Sequence, residues 1–186
     1  GNVGHRVARY AKAFEMEVLA YDPYIADEVF ERHHARKCSW DELISSADVI
    51  TLHVPKTEET TGMIGAKEFS RMKTGVVIMN SARGGVIQEK PLLAELKSGK
   101  VAAAGIDTWE EEPPQENPFR DLPQVVMSPH VGASTAEAQI RVAESIANQT
   151  PRALRGEVVE YPVNMPSVQV LGSGPVASYT SLAEKL

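Results

Sequence analysis

Apolar residues follow two different periods along this chain. In residues 5–14, Val7, Ala8, Tyr10, Ala11 and Phe14 recur between charges at helical spacing, which predicts an amphipathic helix. Short apolar runs follow at 18–21, 49–54, 76–79, 101–106 and 125–127, rich in valine and isoleucine, and each predicts a buried strand. Every run stops at a polar residue or proline: Asp22-Pro23, Pro55, Asn80-Ser81, Asp107 and Ser128-Pro129. The intervals read as helices. A short one is expected within 23–35, and Ser39-Trp40-Asp41-Glu42 matches a capping box opening a helix to Ala47. Residues 66–72 form another, and 90–98 a further one closed by Gly99. A second box, Ser134-Thr135-Ala136-Glu137, opens the longest helix, 135–154, with Pro151 near its end.

Alternating buried strands and helices predict an α/β fold with a parallel sheet covered on both faces, a Rossmann-type doubly wound sheet. Beyond Gly156 the pattern changes: 158–163 is short and apolar, Pro162, Pro166 and Pro175 break regularity, and 179–186 resumes a helical pattern. The expected domains are a nucleotide-binding domain over 1–134, an interdomain helix over 135–156, and at 157–186 a return to a substrate domain followed by the start of a further segment.

Gly1-Asn2-Val3-Gly4 opens the first helix. Glycines at a helix start let the backbone approach an anion, and the free N–H groups of the first turn, with the positive end of the dipole, point at it. The dinucleotide fingerprint is G-x-G-x-x-G after a strand, so Gly1 and Gly4 fit its second and third glycines, with the first glycine and first strand missing. Asp22 ends the next strand about 20 positions on, where a carboxylate can accept from ribose hydroxyls. An acid there repels a 2′-phosphate and no arginine stands beside it, so NAD is preferred to NADP. Asp22 equally fits a turn-forming Asp-Pro.

The chain has 186 residues, 42% hydrophobic and 24% charged, with net charge −6, an ordinary globular composition without the basic footprint of a nucleic-acid partner. No run approaches the roughly 18 apolar residues of a membrane span. The single cysteine, Cys38, excludes an internal disulfide and any multi-cysteine metal site, and reads as packing. A cytoplasmic setting is expected. His33 and His34 read as solvated, and no metal is expected.

Polar clusters stand at four successive strand ends: His53, Arg83, Asp107 through Glu112, and His130. Each alone also fits a surface loop or a turn. Together they suit one reaction, because hydride transfer to a 2-oxo acid leaves charge on the carbonyl oxygen. His130 can supply the proton, Glu112 can orient the ring through its far nitrogen, and Arg83 can grip the substrate carboxylate.

These motifs resemble the D-isomer-specific 2-hydroxyacid dehydrogenases: G-N-V-G, L-H-V-P, N-S-A-R-G-G, G-I-D-T-W-E-E-E-P and S-P-H-V-G-A-S-T occur in the family's order and spacing. The resemblance implies Arg83 as the substrate-binding arginine, His130 as the catalytic histidine and Glu112 as its partner. It implies NAD as cofactor, held by Gly1, Asn2, Val3, Asp22, His53, Val54, Pro55, Thr60, Ala82, Arg83, Asp107, His130 and Gly132, with Asp107 near the nicotinamide carboxamide. A small 2-hydroxy or 2-oxo acid is the implied substrate and a homo-oligomer, dimer or tetramer, the implied assembly. Glu112 stands where the family's formate dehydrogenases carry glutamine. Trp109 stands where Phe or Tyr is common, and Gln88 where Asp is.

The tail Pro162-Val163-Asn164-Met165-Pro166, with Leu182-Ala183-Glu184-Lys185-Leu186, is most similar to members that oxidise 3-phosphoglycerate and continue into regulatory domains. Glyoxylate and hydroxypyruvate reductases, and NAD(H)-sensing corepressors of the same fold, are the alternatives. The N-terminal substrate domain is expected to lie outside these 186 residues, so that the chain alone would bind NAD poorly and turn over little.

Overall fold

The computed structural model describes residues 1–160 and Pro162. In chain order the elements are α1 (Gly4–Ala13), β1 (Leu19–Ala20), α2 (Asp27–Arg32), β2 (Arg36–Lys37), α3 (Trp40–Ser46), β3 (Val49–Leu52), α4 (Ala66–Arg71), β4 (Val76–Asn80), α5 (Glu89–Ser98), β5 (Val101–Ile106), β6 (Val125–Met127) and α6 (Ala136–Leu154). Two compact units result, Gly1–Gly132 and a second from Ala133 on.

All strand pairs are parallel. β3, β4, β5 and β6 form one sheet in that order, and β1 and β2 form a second. The expectation of parallel strands with flanking helices holds, but as two sheets, and the expected cover on both faces does not: Val49, Met79 and Val126 stand exposed on one face of the larger sheet. Among the described residues β1 and β3 each keep one edge without a strand partner. Val49 on β3 is correspondingly exposed, and α1 buries none of its residues. β2 was not expected, because Arg36 and Lys37 are polar and exposed on both faces and carry no apolar alternation.

The core lies under β3–β6. Ile50, Leu52, Val76, Ile78, Val101, Ala104 and Ile106 pack with Ile44, Phe69, Leu92 and Leu96 from α3, α4 and α5. Phe119, in the connection from β5 to β6, is fully buried and its ring sits 6.2 Å from that of Trp109. Cys38 is buried and its thiol donates to the Ala20 carbonyl at 3.6 Å, with burial the main cause raising its pKa, as a packing residue should. His33 is half-buried, its ring stacked on His5 at 4.7 Å, and His34 is exposed.

Local chemistry sets the helix ends. Ser39 Oγ accepts from the Glu42 N–H at 3.1 Å, and Gly99 takes φ 80° to close α5. In the second unit the cap of α6 is Thr135, whose Oγ1 accepts from the Ala138 N–H at 3.1 Å. The S-x-x-E match had pointed to Ser134. Thr135 offers the same acceptor one residue later, so the helix starts there. The tail motifs from Val163 onward lie outside the described residues.

Phe119→Ala should destabilise the first unit by about 3–5 kcal/mol, since the ring is fully enclosed and the cavity has only partial means of collapse. Urea unfolding followed by Trp109 fluorescence measures it, and a loss below ~1 kcal/mol would contradict this packing.

Candidate active site

Because β3–β6 run parallel, the chain leaves all four strands at one edge, where parallel sheets place their ligands. His53 follows β3, Arg83 follows β4, Asp107 ends β5 and His130 follows β6.

Asp107 organises this edge. It is buried, and its Oδ1 accepts from Ser128 Oγ at 2.6 Å and the Val131 N–H at 2.9 Å, while Oδ2 accepts from the Gly132 N–H at 3.1 Å. Burial alone would raise its pKa, but these bonds, with Ser128 first, outweigh burial and hold the carboxyl below its ordinary value. Consecutive N–H groups gathered on one carboxylate hold the turn in which His130 takes φ 56°, a left-handed conformation that costs about 1–2 kcal/mol outside glycine. Gly132 has its own reason to be glycine: a Cβ there would stand 2.9 Å from Asp107 Oδ2.

His130 Nδ1 and Glu112 Oε2 are 2.7 Å apart. Glu112 Oε1 accepts from the Trp109 N–H at 3.0 Å. The bond to His130, then that from Trp109, lowers the Glu112 pKa, so the group is an ionised acceptor. An ionised Glu112 can only accept, so Nδ1 donates in this contact, and Nε2 has no hydrogen-bond partner among the described residues. Burial also leaves the Thr108 hydroxyl beside Asp107 without a partner.

Arg83 sits on a tight loop held by Asn80. The Asn80 Oδ1 accepts from the Ala82 N–H at 3.1 Å and its Nδ2 donates to the Arg83 carbonyl at 2.9 Å. Arg83 Nη1 donates to the Ala82 carbonyl at 2.6 Å, and none of the ion pairs among the described residues involves it. Asn80 is a site residue that sequence reasoning did not single out; its position just before the loop was the available signal.

The start of α1 is bare: it has no side-chain cap and no acid in its first turn. The first three N–H groups of the turn, on Asn2, Val3 and Gly4, have no backbone acceptor, while Gly1 supplies its carbonyl to the His5 N–H at 3.2 Å. A Cβ on Gly4 would meet His53 at 3.5 Å, so this turn lies against the end of β3. Burial lowers the His53 pKa, and its Nε2 lies 3.2 Å from Thr51 Oγ1. Val54 and Pro55 continue that segment, and Thr60 Oγ1 donates to the Pro55 carbonyl at 2.6 Å. One Asp22 oxygen accepts from the Tyr24 N–H at 3.0 Å, the local turn its Asp-Pro sequence allows, which leaves the second oxygen for a ligand. Tyr24 also donates to Glu59, joining the loops after β1 and β3. Uncapped donors at a helix start and an unpaired acid at the neighbouring strand end fit a dinucleotide.

Among the described residues no group of three or more His, Cys, Asp or Glu side chains could hold a metal, and no helix is long and apolar enough to cross a membrane.

Residues 1–132 match the family model for the D-isomer specific 2-hydroxyacid dehydrogenase, NAD binding domain. The chain belongs to that family and carries its NAD-binding domain. It is 44% identical over its whole length to the D-3-phosphoglycerate dehydrogenase of Archaeoglobus fulgidus, and spans 36% of that protein. Among solved structures it is similar to a glyoxylate reductase from Paecilomyes thermophila, with TM-score 0.79 and 38% identity over 84% of this chain and 48% of that one. It is also similar to the D-lactate dehydrogenase with NAD+ from Lactobacillus jensenii, with TM-score 0.80 and 28% identity over 89% of this chain and 53% of that one. The chain thus spans about a third of the length of the curated relatives it matches.

Asp107 and Glu112 set an acid limit on stability. Their folded pKa values lie below those of the unfolded chain, so their contribution is present above the ordinary carboxylate value of about 4 and is lost as pH falls through the lowered values. Asp107→Asn should cost about 1–3 kcal/mol at neutral pH, because an amide turns a donor toward an N–H, and should flatten the fall in stability between about pH 5 and 3. Urea midpoints across that range test it; parallel curves for the two proteins would refute the assignment.

Proposed function

We propose that this chain is the cofactor-binding and catalytic part of an NAD-dependent dehydrogenase that oxidises a D-2-hydroxy acid to its 2-oxo acid, with 3-phosphoglycerate as substrate and 3-phosphohydroxypyruvate as product. The observation that carries the reading is the 2.7 Å contact of His130 Nδ1 with an ionised Glu112, at the same sheet edge as Arg83, which has no ion pair among the described residues. The phosphorylated substrate is supported by the names of the relatives, which are D-3-phosphoglycerate dehydrogenases at 36–45% identity.

NAD, when bound, supplies the acceptor for the hydride that leaves C2 of the substrate. His130 Nε2 takes the hydroxyl proton as the C2–O bond becomes a carbonyl, and returns it in the reverse direction. Glu112 holds the opposite nitrogen and stabilises the imidazolium that forms. Arg83 can bind the substrate carboxylate through two parallel bonds, fixing C2 relative to His130. Gly1, Asn2, Val3 and Gly4 would hold the pyrophosphate and Asp22 the ribose, with His53, Val54, Pro55, Thr60, Ala82, Asp107 and Gly132 lining the rest. A homo-oligomer in the cytoplasm belongs to the same proposal.

In the full-length protein, His130→Ala should lower kcat by roughly 10²–10⁴-fold while NADH binding persists, the loss expected for removing a general acid–base. Arg83→Ala should chiefly raise KM for the substrate. A panel of 2-oxo acids with NADH decides the substrate: preference for glyoxylate over 3-phosphohydroxypyruvate would replace the phosphorylated substrate, wild-type turnover by the His130 variant would remove the acid–base role of His130, and no turnover of any member by the wild type would remove the dehydrogenase reading.

A further inference from the structure

Outside the proposed catalytic set, two carboxylates 21 residues apart in the chain make a reciprocal contact. Glu110 Oε1 accepts from the backbone N–H of Glu89 at 2.8 Å, and Glu89 Oε1 accepts from the backbone N–H of Glu110 at 2.6 Å. Glu89 is the first residue of α5, where an N–H has no partner within the helix. A local cap could satisfy that donor without bringing a second carboxylate close to the first. Instead the like charges are held together, and burial, then the charge of Glu110, keeps the Glu89 carboxyl above its ordinary value.

What this clasp holds is the segment Trp109-Glu110, and three links run from that segment to the proposed machinery. The Trp109 N–H donates to Glu112 Oε1 at 3.0 Å, on the carboxylate that faces His130. The Trp109 indole donates to the Ser128 carbonyl at 3.1 Å, two residues before His130. The Trp109 carbonyl lies so close under Gly84 that a Cβ on that glycine would stand 1.5 Å from it, and Gly84 follows Arg83. One short segment therefore touches the supports of all three residues, while Gly1 through Gly4, Asp22 and His53 hang from other elements.

We infer that Glu89 and Glu110 are positioning residues for the proposed reaction: their reciprocal clasp fixes the Trp109-Glu110 segment that sets Arg83, Glu112 and His130 relative to one another. The inference rests on the dehydrogenase reading for its effect on rate, and on geometry alone for its effect on the Glu112–His130 contact. Small displacements of reacting groups cost large factors in rate, so loss of the clasp acts on kcat and leaves cofactor affinity alone.

The test compares Glu110→Ala, Glu110→Gln and Glu110→Asp in the full-length protein. Ala removes the acceptor, Asp withdraws it by one methylene while keeping the charge, and Gln retains a carbonyl oxygen at the same reach. Ala and Asp should lower kcat roughly tenfold to a hundredfold with KM for NADH unchanged, and Gln should restore most of the rate. The proton on His130 Nδ1, observed by NMR in the bond to Glu112, should broaden or disappear in Ala and Asp and persist in Gln. Should Ala fail to fold, the Asp and Gln pair carries the comparison. Wild-type kcat and an unchanged Nδ1 proton in both Ala and Asp would overturn the inference, as would a folded Gln variant as impaired as Ala. If the wild type itself shows no turnover, the dehydrogenase reading falls and the NMR comparison alone upholds or overturns the clasp.

Discussion

Parallel pairing of β3 through β6 is the constraint on which the rest depends. Strands with one polarity must release their chains at one edge, so four loops that are far apart in sequence are delivered side by side. Most of the bonds that then hold these loops engage a backbone group, the side-chain contacts of His130 with Glu112 and of Ser128 with Asp107 being the exceptions. Asn80 ties its own loop, Asp107 ties the loop after β6, and Trp109 reaches both neighbours. Such contacts are short and directional, which suits a site whose parts must keep fixed distances.

The electrostatics follow from the same device. No lysine or arginine pairs with Asp107 or Glu112 among the described residues; N–H groups, a hydroxyl and an imidazole do the work. Dipoles fixed by the backbone keep a carboxylate ionised without introducing a further cation, which under the proposed function would compete with Arg83 for the negative charge of the substrate. That leaves the Arg83 guanidinium as a cation of this edge with no carboxylate to neutralise it.

Much of this was legible in the chain, and the misses have identifiable causes. Apolar runs at 49–54, 76–79, 101–106 and 125–127 gave the large sheet because one face of each strand is buried and most residues on the other face are apolar as well. β2 was silent because its two residues are charged and exposed, held by pairing with β1 and by ion pairs to Glu42 and Asp27 rather than by apolar burial. Ser39 was read correctly as a cap, whereas Ser134 and Thr135 offered the same chemistry at adjacent positions and the backbone chose the second. The strand-end positions of His53, Arg83, Asp107 and His130 followed from pattern alone. The multiple bonds of Asp107 and the approach of Gly84 to Trp109 did not, since each depends on loops packed in three dimensions, whereas the Asn80 clamp is a local turn that was not singled out.

The two halves of the site differ in how completely their polar groups are satisfied, and the difference has a physical logic. Around Arg83, Glu112 and His130 nearly every supporting donor and acceptor is engaged, because an unsatisfied group there would allow the loops to rearrange. At the start of α1 the reverse holds: the N–H groups of Asn2, Val3 and Gly4 remain open, with no capping side chain and no acid to compensate the dipole. Open donors at a solvent-facing helix start cost little while water occupies them, and a pyrophosphate can replace that water without breaking any protein bond. For the proposed dehydrogenase, which would have to release NAD after each turnover, that division gives a closed network where geometry matters and an open one where the cofactor would come and go.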